Sequence, residues 1–304
     1  YRNFLNKLWN ANNFLITNNC DFDKIDKIPK LTVNINKWIY SELLEANKKI
    51  EKNLKDYRFD EAAKNAYQFA WHSYCDWYLE LSKTILFSDN EKAKAEVKKV
   101  SSYVFKQILI LLHPFIPFVT EEIWLKNKFD KSGKNFLMLA NWPIGSAKKD
   151  KNTKQVEKII GIISELRSFK NELNVGPGSF IEMSINNISK SQKSFIIDNE
   201  IILKKLGRIS NIHQNDVDRP AATMMVSGDM FKIYFDKDVD LELIKENLTN
   251  RQNKYQEEMN KISQRLNNKG FVDRAPKDIV EQEKTNYNNL INDIKKISLT
   301  LESL

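Results

Sequence analysis

The C-terminal end of the chain, residues 238–304, is the part whose fold is most tightly constrained by its sequence. Its apolar residues recur at alternating spacings of four and three, which keeps one seam on a helix. The pattern is interrupted at 267–274, which contains Gly270, and resumes behind Pro276, a residue that the start of a helix tolerates. The seam residues are Leu248, Gln252, Tyr255, Met259, Ile262 and Leu266 on the first arm, and Val280, Glu283, Tyr287, Leu290, Ile294, Ile297, Leu301 and Leu304 on the second. We predict an antiparallel coiled-coil hairpin that projects into solvent, because only one seam is apolar.

Residues 1–149 carry helical periodicity throughout. Apolar residues of the first helix recur at spacings of three and four. These residues are Phe4, Leu8, Ala11, Phe14 and Leu15. A second helix follows Pro29, a third begins near Asp60, which is a good N-cap, and a fourth is bent or ended by Pro114. Long helices joined by short loops predict an antiparallel helical bundle.

Residues 150–237 have mixed periodicity. An amphipathic helix ends at the Gly-Pro-Gly run at 176–178. Strand-like patterns follow at 180–185 and at 231–235, with a helix around 200–206 between them. These signals predict a small α/β module of unassigned topology. The predicted fold class is therefore mainly α, with three domains at 1–149, 150–237 and 238–304.

The charge balance of the chain suits a polyanionic partner. There are 48 Lys and Arg against 40 Asp and Glu, a formal charge of +8, and each lysine near a phosphate can release a condensed counterion. Most of the basic residues are Lys and occur beside abundant Asn and Ile, which is typical of AT-rich genomes, so part of the charge reflects composition. No membrane association is expected, since the longest apolar stretch, 108–119, is interrupted by His113 and two prolines.

No metal site or disulfide is expected. The two cysteines, Cys20 and Cys75, are far apart in sequence, and the three histidines are scattered. A structural zinc site needs four closely organised ligands. The reducing cytoplasm is therefore the expected compartment. Because the sequence begins at Tyr1, already within a helical pattern, we expect the chain to be a fragment of a longer protein.

Several runs of the sequence resemble class I aminoacyl-tRNA synthetases for aliphatic amino acids. RNFLNKLWNA at 2–11 and YRFDEAA at 57–63 resemble the anticodon-binding helical domain of the valyl enzymes. CDWYLELSK at 75–83 is the most discriminating run, because isoleucyl and leucyl relatives diverge there, whereas HPFIPFVTEEIW at 113–124 is shared more widely. The KGFV and APKDIVE runs within 269–281 resemble the turn of the C-terminal coiled coil of valyl enzymes.

The resemblance implies the anticodon-binding domain and coiled coil of a valyl-tRNA synthetase. That family activates valine with ATP and Mg and transfers it to its tRNA. It also hydrolyses mischarged tRNA, because an apolar pocket discriminates poorly against a hydroxyl. The HIGH and KMSKS signatures do not occur in the sequence, so the catalytic and editing domains are expected to precede Tyr1. We expect no catalytic residue and no cofactor in this fragment, whose partners would be valine-accepting tRNA and those preceding domains.

One face of the first helix offers the chemistry of an RNA-reading surface. Single-stranded bases are read by stacking on planar side chains and by hydrogen bonds to their edges. Arg can stack and donate, and Asn presents a donor and an acceptor together. The predicted anticodon contacts are Arg2, Asn6, Lys7, Asn10 and Phe14, and Trp9 and Asn13 are further candidates. The competing interpretations are a solvated helix face for the polar residues and core packing for the aromatic ones.

Other conspicuous residues are interpreted as structural. A group of aromatic residues is interpreted as core and not as a stacking platform: Trp71, Tyr74, Trp77 and Tyr78. Asp76 and Glu80 are interpreted as polar contacts of the bundle, and His113 as a capping or packing residue at a helix bend. The Gly-Pro-Gly run lacks the Lys-Ser/Thr of a phosphate loop and is interpreted as a turn or hinge.

The hairpin is the second predicted RNA contact. Its basic residues along the arms or near the tip are Lys254, Lys261, Arg265, Lys269, Arg274 and Lys277. The resemblance implies that the coiled coil contacts the outer corner of the L-shaped tRNA, where shape and phosphate contacts dominate. Acidic residues, among them Glu257 and Glu258, dilute this charge. An ordinary charge-laced coiled coil is therefore the competing interpretation.

Two alternative functions stay open at the level of sequence. The chain could be the anticodon-binding part of an isoleucyl-type synthetase, although the 75–83 run and the heptad hairpin argue against it. It could also be a freestanding coiled-coil module for protein interaction, which a reading frame extending upstream of Tyr1 would exclude.

Overall fold

A computed structural model describes residues 2–20, 22, 27–129, 136–143, 151–226, 228–235 and 239–304, with the backbone alone at 151, 152, 269, 273 and 274. The chain forms two compact units, Tyr1–Ile160 and Gly161–Leu304, and each is described by itself. The predicted domain boundaries, at 149/150 and 237/238, lie outside the described residues. The division into three domains therefore stays a prediction.

The described part of the first unit consists of helices and their connections. In chain order these are α1 (Arg2–Thr17), α2 (Asn34–Lys55), α3 (Phe59–Gln68), a π-helical segment (Phe69–Tyr78), α4 (Leu79–Leu86), α5 (Glu91–Leu112), α6 (Pro117–Lys126), a 3₁₀ turn (Leu137–Leu139) and α7 (Lys151–Glu172), which continues into the second unit. On α1 the predicted stripe is buried except for Phe14, which lies half-buried at its edge. Residues 107–112 of α5 are all buried, so α5 is the central helix of the predicted bundle.

The third helix begins at Phe59 and is not capped by Asp60. Arg58 is the N-cap residue, makes no side-chain capping bond, and leaves Asp60 in the first turn. Tyr57 has a φ of 56°, so the preceding loop ends in the left-handed region and the chain enters the helix before Asp60 is reached. The Asp60 carboxylate instead lies in the first turn, where its negative charge interacts favourably with the helix dipole and stabilises the helix. The prediction of Asp60 as N-cap was therefore wrong.

Three stacked rings in the core join the π-helical segment to α5. Tyr74 and Tyr78 are fully buried and their centroids are 5.6 Å apart, while Tyr74 stacks on Phe105 at 6.0 Å. The Tyr74 hydroxyl donates to the Ser101 carbonyl and the Tyr78 hydroxyl to Asn36 Oδ1, both at 2.8 Å. Both buried hydroxyls are thus satisfied. The core interpretation is confirmed for these two tyrosines, and we call Phe105, Tyr74 and Tyr78 the buried ring stack.

Glu96 of α5 holds the start of α2. The N-cap residue of α2 is Val33, which has no side-chain acceptor to offer. The Glu96 carboxylate accepts hydrogen bonds from the backbone N–H groups of Thr32 and Val33 and from Asn36 Nδ2, at 2.9 to 3.1 Å. Bonds to an ionised acceptor are stronger than neutral ones. The Glu96 carboxylate therefore caps the start of α2 in place of an N-cap side chain.

We expect Glu96→Gln to lower the free energy of unfolding by about 1 to 2 kcal/mol at pH 7. Burial raises the pKa of Glu96, but hydrogen bonds from Asn36, Thr32 and Val33 outweigh burial and hold the pKa below its ordinary 4.5. A carboxyl with a lowered folded-state pKa stabilises the protein above its unfolded-state pKa, and this contribution is lost as the pH falls through the lowered value. In urea unfolding, the difference between the two proteins should be constant near neutrality and should shrink below pH 4.5.

The matched control is Glu122→Gln, an exposed glutamate of α6. That substitution should leave both the stability and its pH dependence unchanged. A deficit of Glu96→Gln that stays the same down to pH 3 (roughly, where carboxyls protonate) would contradict the capping role.

His113 lies at the bend between α5 and α6, and its side chain has a structural role there. His113 Nδ1 lies 2.9 Å from Thr120 Oγ1, across the bend between α5 and α6, which confirms its packing role.

Cys20 and Cys75 are free and buried. Burial raises the pKa of each thiol to about 12, although Lys98 acts to lower that of Cys20 and Lys7 that of Cys75.

The second unit contains a four-stranded sheet. Its elements after α7 are β1 (Ile181–Ser184), α8 (Lys190–Asp198), α9 (Glu200–Gly207), β2 (Ile209–His213), β3 (Ala222–Val226) and β4 (Asp229–Phe235). The strand order is β2-β1-β4-β3, with β1 parallel to β2 and the other two pairs antiparallel. The two predicted strands correspond to β1 and β4 and the predicted helix to α9. The strands β2 and β3 and the helix α8 were not predicted.

The predicted hairpin is present at the end of the chain. It consists of α10 (Leu241–Asn267), a short helix α11 (Lys269–Arg274) and α12 (Lys277–Ser303). Gln252 Nε2 donates to Ser298 Oγ at 2.8 Å and Arg265 pairs with Glu283 at 3.2 Å, so the arms are antiparallel. At the turn, Asn268 Oδ1 accepts a hydrogen bond from the Gly270 N–H at 2.9 Å. The connection between the two arms is thus the short helix α11, which Asn268 caps, and it is not the loop around Gly270 that the sequence predicted.

The base of the hairpin is attached to the sheet. The N–H of Ala221 donates to the carbonyl of Ser303 at 2.9 Å, and Thr300 Oγ1 donates to the carbonyl of Thr223 at 3.3 Å. Ile244, Leu248 and Ile297 are buried. The expectation that the hairpin projects into solvent therefore does not hold at its base, because the end of α12 packs on β3.

Candidate nucleic-acid interface

Four polar side chains line the exposed face of α1. Arg2, Asn6, Asn10 and Asn13 follow one another at spacings of four, four and three, which places them on one side of a helix. All four are exposed, and none forms a hydrogen bond or ion pair with another described residue. We call these four residues the α1 polar face. It brings together three of the five residues predicted to contact the anticodon.

An aromatic ring and a lysine stand at each edge of the α1 polar face. Trp9 and Phe14 are half-buried. The ammonium of Lys126 lies 4.7 Å from the Trp9 ring centroid, and that of Lys83 lies 5.6 Å from the Phe14 ring centroid. A cation over an aromatic face is attracted by the ring quadrupole. Sequence reasoning missed both lysines, since they come from α6 and α4 and no local pattern connects them with α1.

Lys7 is the predicted anticodon residue that the structure directs elsewhere. Its ammonium forms an ion pair with Asp76 and lies 4.3 Å from the ring centroid of Trp71, and its side chain is 29% exposed. Asp76 also lies 3.2 Å from His72 Nδ1. Lys7 therefore fastens α1 to the π-helical segment. The interpretation of Asp76 as a structural polar contact is confirmed, and Glu80 likewise pairs with Lys83 at 2.6 Å.

Three basic residues form a stripe on the first arm of the hairpin. Lys254, Lys261 and Arg265 are seven and four residues apart, so they lie on one side of α10, and all three are exposed. Arg265 also pairs with Glu283. The exposed Glu258 falls on the same side of the helix and reduces the net charge of the stripe.

The other predicted hairpin contacts lie nearer the turn. Lys277 is exposed in the first turn of α12. The side chains of Lys269 and Arg274 are outside the described residues, so their predicted role stays a prediction.

The described residues contain neither a cluster of metal-ligating side chains nor a membrane-spanning helix. Within the ranges given above, no group of three or more His, Cys, Asp or Glu side chains converges as metal ligands would. No helix in those ranges is long and apolar enough to cross a membrane.

Two family models match the sequence. Residues 36–185 match the anticodon-binding domain of tRNA ligases. Residues 240–304 match the tRNA-binding arm of valyl tRNA synthetases, which corresponds to the hairpin. The helix α1 precedes the first matched range.

Curated relatives extend the similarity over the whole chain. The valine–tRNA ligase of Pelagibacter ubique (strain HTCC1062) is 77% identical over 304 residues, which are 100% of this chain and 35% of that protein. The valine–tRNA ligase of Bartonella quintana (strain Toulouse) is 34% identical over 306 aligned positions, covering 100% of this chain and 34% of that protein. The enzyme of the same name from Zymomonas mobilis is 32% identical, with 100% and 35% covered. The chain thus spans about a third of the length of these relatives.

The matched domains define the class of the chain, which is the tRNA-binding part of a tRNA ligase. The arm and the similarity over all 304 residues specify it further. The chain belongs to the valine–tRNA ligase family, of which it carries the anticodon-binding domain and the tRNA-binding arm. The resemblance read from the sequence is confirmed, and the isoleucyl-type alternative finds no support in these matches.

Proposed function

We propose that this chain holds valine-accepting tRNA for a valine–tRNA ligase. In this proposal the α1 polar face reads the anticodon loop, and the hairpin contacts the outer corner of the tRNA. The observation that carries the proposal is the α1 polar face itself, in which exposed side chains with donors and acceptors lie between two aromatic rings.

The chemistry of the α1 polar face suits single-stranded RNA. Each Asn can donate to and accept from the edge of one base, and Arg2 can stack on a base or bind it with its guanidinium. Trp9 and Phe14 each leave part of a ring exposed, on which a base could stack, and stacking contributes about 1 to 3 kcal/mol per base. Lys126 would neutralise a phosphate beside Trp9, and Lys83 would exchange Glu80 for a phosphate beside Phe14.

The hairpin suits a double-helical, sequence-independent contact. Lys254, Lys261 and Lys277 are exposed ammonium groups, and Arg265 can exchange Glu283 for a phosphate. Such contacts position a nucleic acid without reading its bases. We therefore assign specificity to α1 and salt-dependent affinity to the hairpin.

The parent protein would carry out the chemistry elsewhere. The part of the relatives that this chain does not span would contain the catalytic and editing domains, which use ATP and Mg to attach valine and which remove mischarged amino acids. This chain alone would be inactive in both reactions. We place the protein in the cytoplasm, where the thiols of Cys20 and Cys75 would stay reduced.

A titration of the chain with three RNAs at two salt concentrations tests the proposal. The RNAs are valine tRNA, isoleucine tRNA and valine tRNA with a swapped anticodon, and binding is followed by fluorescence anisotropy. We expect the valine anticodon to be preferred by about tenfold or more, because each base contact contributes roughly 1 to 3 kcal/mol. Binding of all three should weaken as salt rises.

Each outcome of the titration decides one part of the proposal. Equal binding of the three RNAs would reject anticodon reading and leave an electrostatic contact. Undetectable binding at both salt concentrations would reject the chain as an independent tRNA-binding unit and would favour the protein-interaction alternative for the hairpin.

A further inference from the structure

Three cations converge at one corner of the second unit, where α7 meets the junction of α9 and β2. Arg167 donates to the carbonyl of Leu206 at 3.2 Å, Lys170 donates to the carbonyl of Ser179, and the Arg208 guanidinium lies 5.6 Å from the Phe180 ring centroid. The N–H of Ile181 donates to the Arg208 carbonyl at 3.0 Å, which joins the two backbone segments. We call Arg167, Lys170 and Arg208 the cationic corner.

The corner is held rigidly. Gly207 packs directly against α7, because a Cβ at this position would come within 3.0 Å of Leu166 Cδ2. The next residue, Arg208, has a φ of 56° and leaves α9 in the left-handed region. This backbone turn directs Arg208 toward Phe180, the residue that follows the turn at 176–179. The backbone that carries Arg208 is therefore held in one position beside α7.

The charges of Lys170 and Arg208 are poorly compensated. Lys170 is 3% exposed, and neither Lys170 nor Arg208 forms an ion pair within the described part of the chain. Burial, and then the charges of Arg208 and Arg167, lowers the pKa of Lys170. A buried cation among like charges is costly unless an anion joins it. The two arginines at this corner are exposed, so an anion can reach them from solvent.

We infer that the cationic corner binds one phosphodiester of the tRNA backbone. Guanidinium groups hold a phosphate through paired, parallel hydrogen bonds, and Lys170 beneath them keeps the local potential positive. The exposed Phe180 ring, at 43% exposure, offers the adjoining sugar or base an apolar contact. The inference rests on the proposed function, and it adds a third RNA contact, formed by Arg167 and Lys170 near the end of the first matched range and by Arg208, which lies between the two matched ranges.

The test is a double variant, Arg167→Gln with Arg208→Asn, titrated with valine tRNA and its anticodon-swapped form at several salt concentrations. Asn is chosen at 208 because it tolerates the left-handed backbone. We expect affinity for both RNAs to fall by about tenfold alike and the slope of log Kd against log salt to fall by about 1, as for one lost phosphate contact. The control variant Lys190→Gln with Lys193→Gln removes the same charge from α8 and should change affinity far less.

Further measurements separate the explanations. Arg167→Lys with Arg208→Lys keeps both charges and should recover most of the salt slope, which rules out misfolding as the cause of the loss. Equal losses in the cationic-corner and control variants, or no loss in either, would overturn the site.

Inorganic phosphate, compared with chloride at equal ionic strength, tests a free anion as the ligand. If phosphate raises the melting temperature of the wild type while the variant binds tRNA normally, the RNA assignment is wrong. A wild type that binds no tRNA would reject the proposed function first.

Discussion

Replacing Arg2 with Gln and Asn10 with Ala together should remove most of the preference of this chain for the valine anticodon. Both side chains are exposed on the α1 polar face and are free to contact a base. Each lost base contact costs roughly 1 to 3 kcal/mol, so the preference over an anticodon-swapped tRNA should fall from about tenfold or more to near unity. The measurement is the ratio of the two Kd values, which isolates reading of the anticodon from general affinity.

Two further variants make this result specific. Lys254→Gln with Lys261→Gln, on the hairpin, should weaken both tRNAs equally and leave the ratio unchanged. Lys7→Gln should also leave the ratio unchanged, since Lys7 contacts Asp76 and Trp71 and is directed away from the polar face. If Lys7→Gln alone abolished the preference, the face that reads the anticodon would have to be reassigned.

Phe105→Ala should lower the free energy of unfolding of the first unit by about 3 to 5 kcal/mol. The Phe105 side chain is fully buried, and it forms the α5 end of the buried ring stack. Its removal leaves a cavity beside Tyr74, whose hydroxyl is fixed to the Ser101 carbonyl and cannot move to fill the space. All six tryptophans lie in the first unit, so urea unfolding followed by tryptophan fluorescence reports this unit alone.

The control for Phe105 is Phe118→Ala, the same substitution at a side chain that is 91% exposed. This change should stay within about 0.5 kcal/mol of the wild type. A loss below 1 kcal/mol for Phe105→Ala (roughly that of an average substitution) would contradict the packing described for the buried ring stack.

Long helices were predictable because their periodicity is local. The stripe of α1 and the seam of the hairpin follow from spacing alone, and both are present. The π-helical segment was not predictable, since Phe69–Tyr78 continues an ordinary helical pattern and no local signal marks the change of pitch. The strands β2 and β3 were missed because ISNIH and ATMMV show no clear alternation of apolar and polar residues, and their pairing with β1 and β4 comes from distant sequence.

The candidate site was predictable in chemistry but only partly in geometry. Helical spacing places Asn6 and Asn10 together, whereas Lys7 lies at the border between two faces. Its direction is decided by Asp76, which is 69 residues away. Lys83 and Lys126 reach Phe14 and Trp9 through the tertiary fold. The cationic corner likewise joins two residues of α7 to Arg208, the C-cap residue of α9, and these share no sequence pattern.

The two protonated thiols make this chain suited to site-specific labelling. With a pKa of about 12 and buried side chains, Cys20 and Cys75 present almost no thiolate at neutral pH. Maleimide dyes react with the thiolate, so a cysteine introduced at an exposed position such as Asn253 would be modified first. A fluorophore can therefore be attached to the hairpin without removing either natural cysteine, and the arrival of an RNA can be followed one molecule at a time.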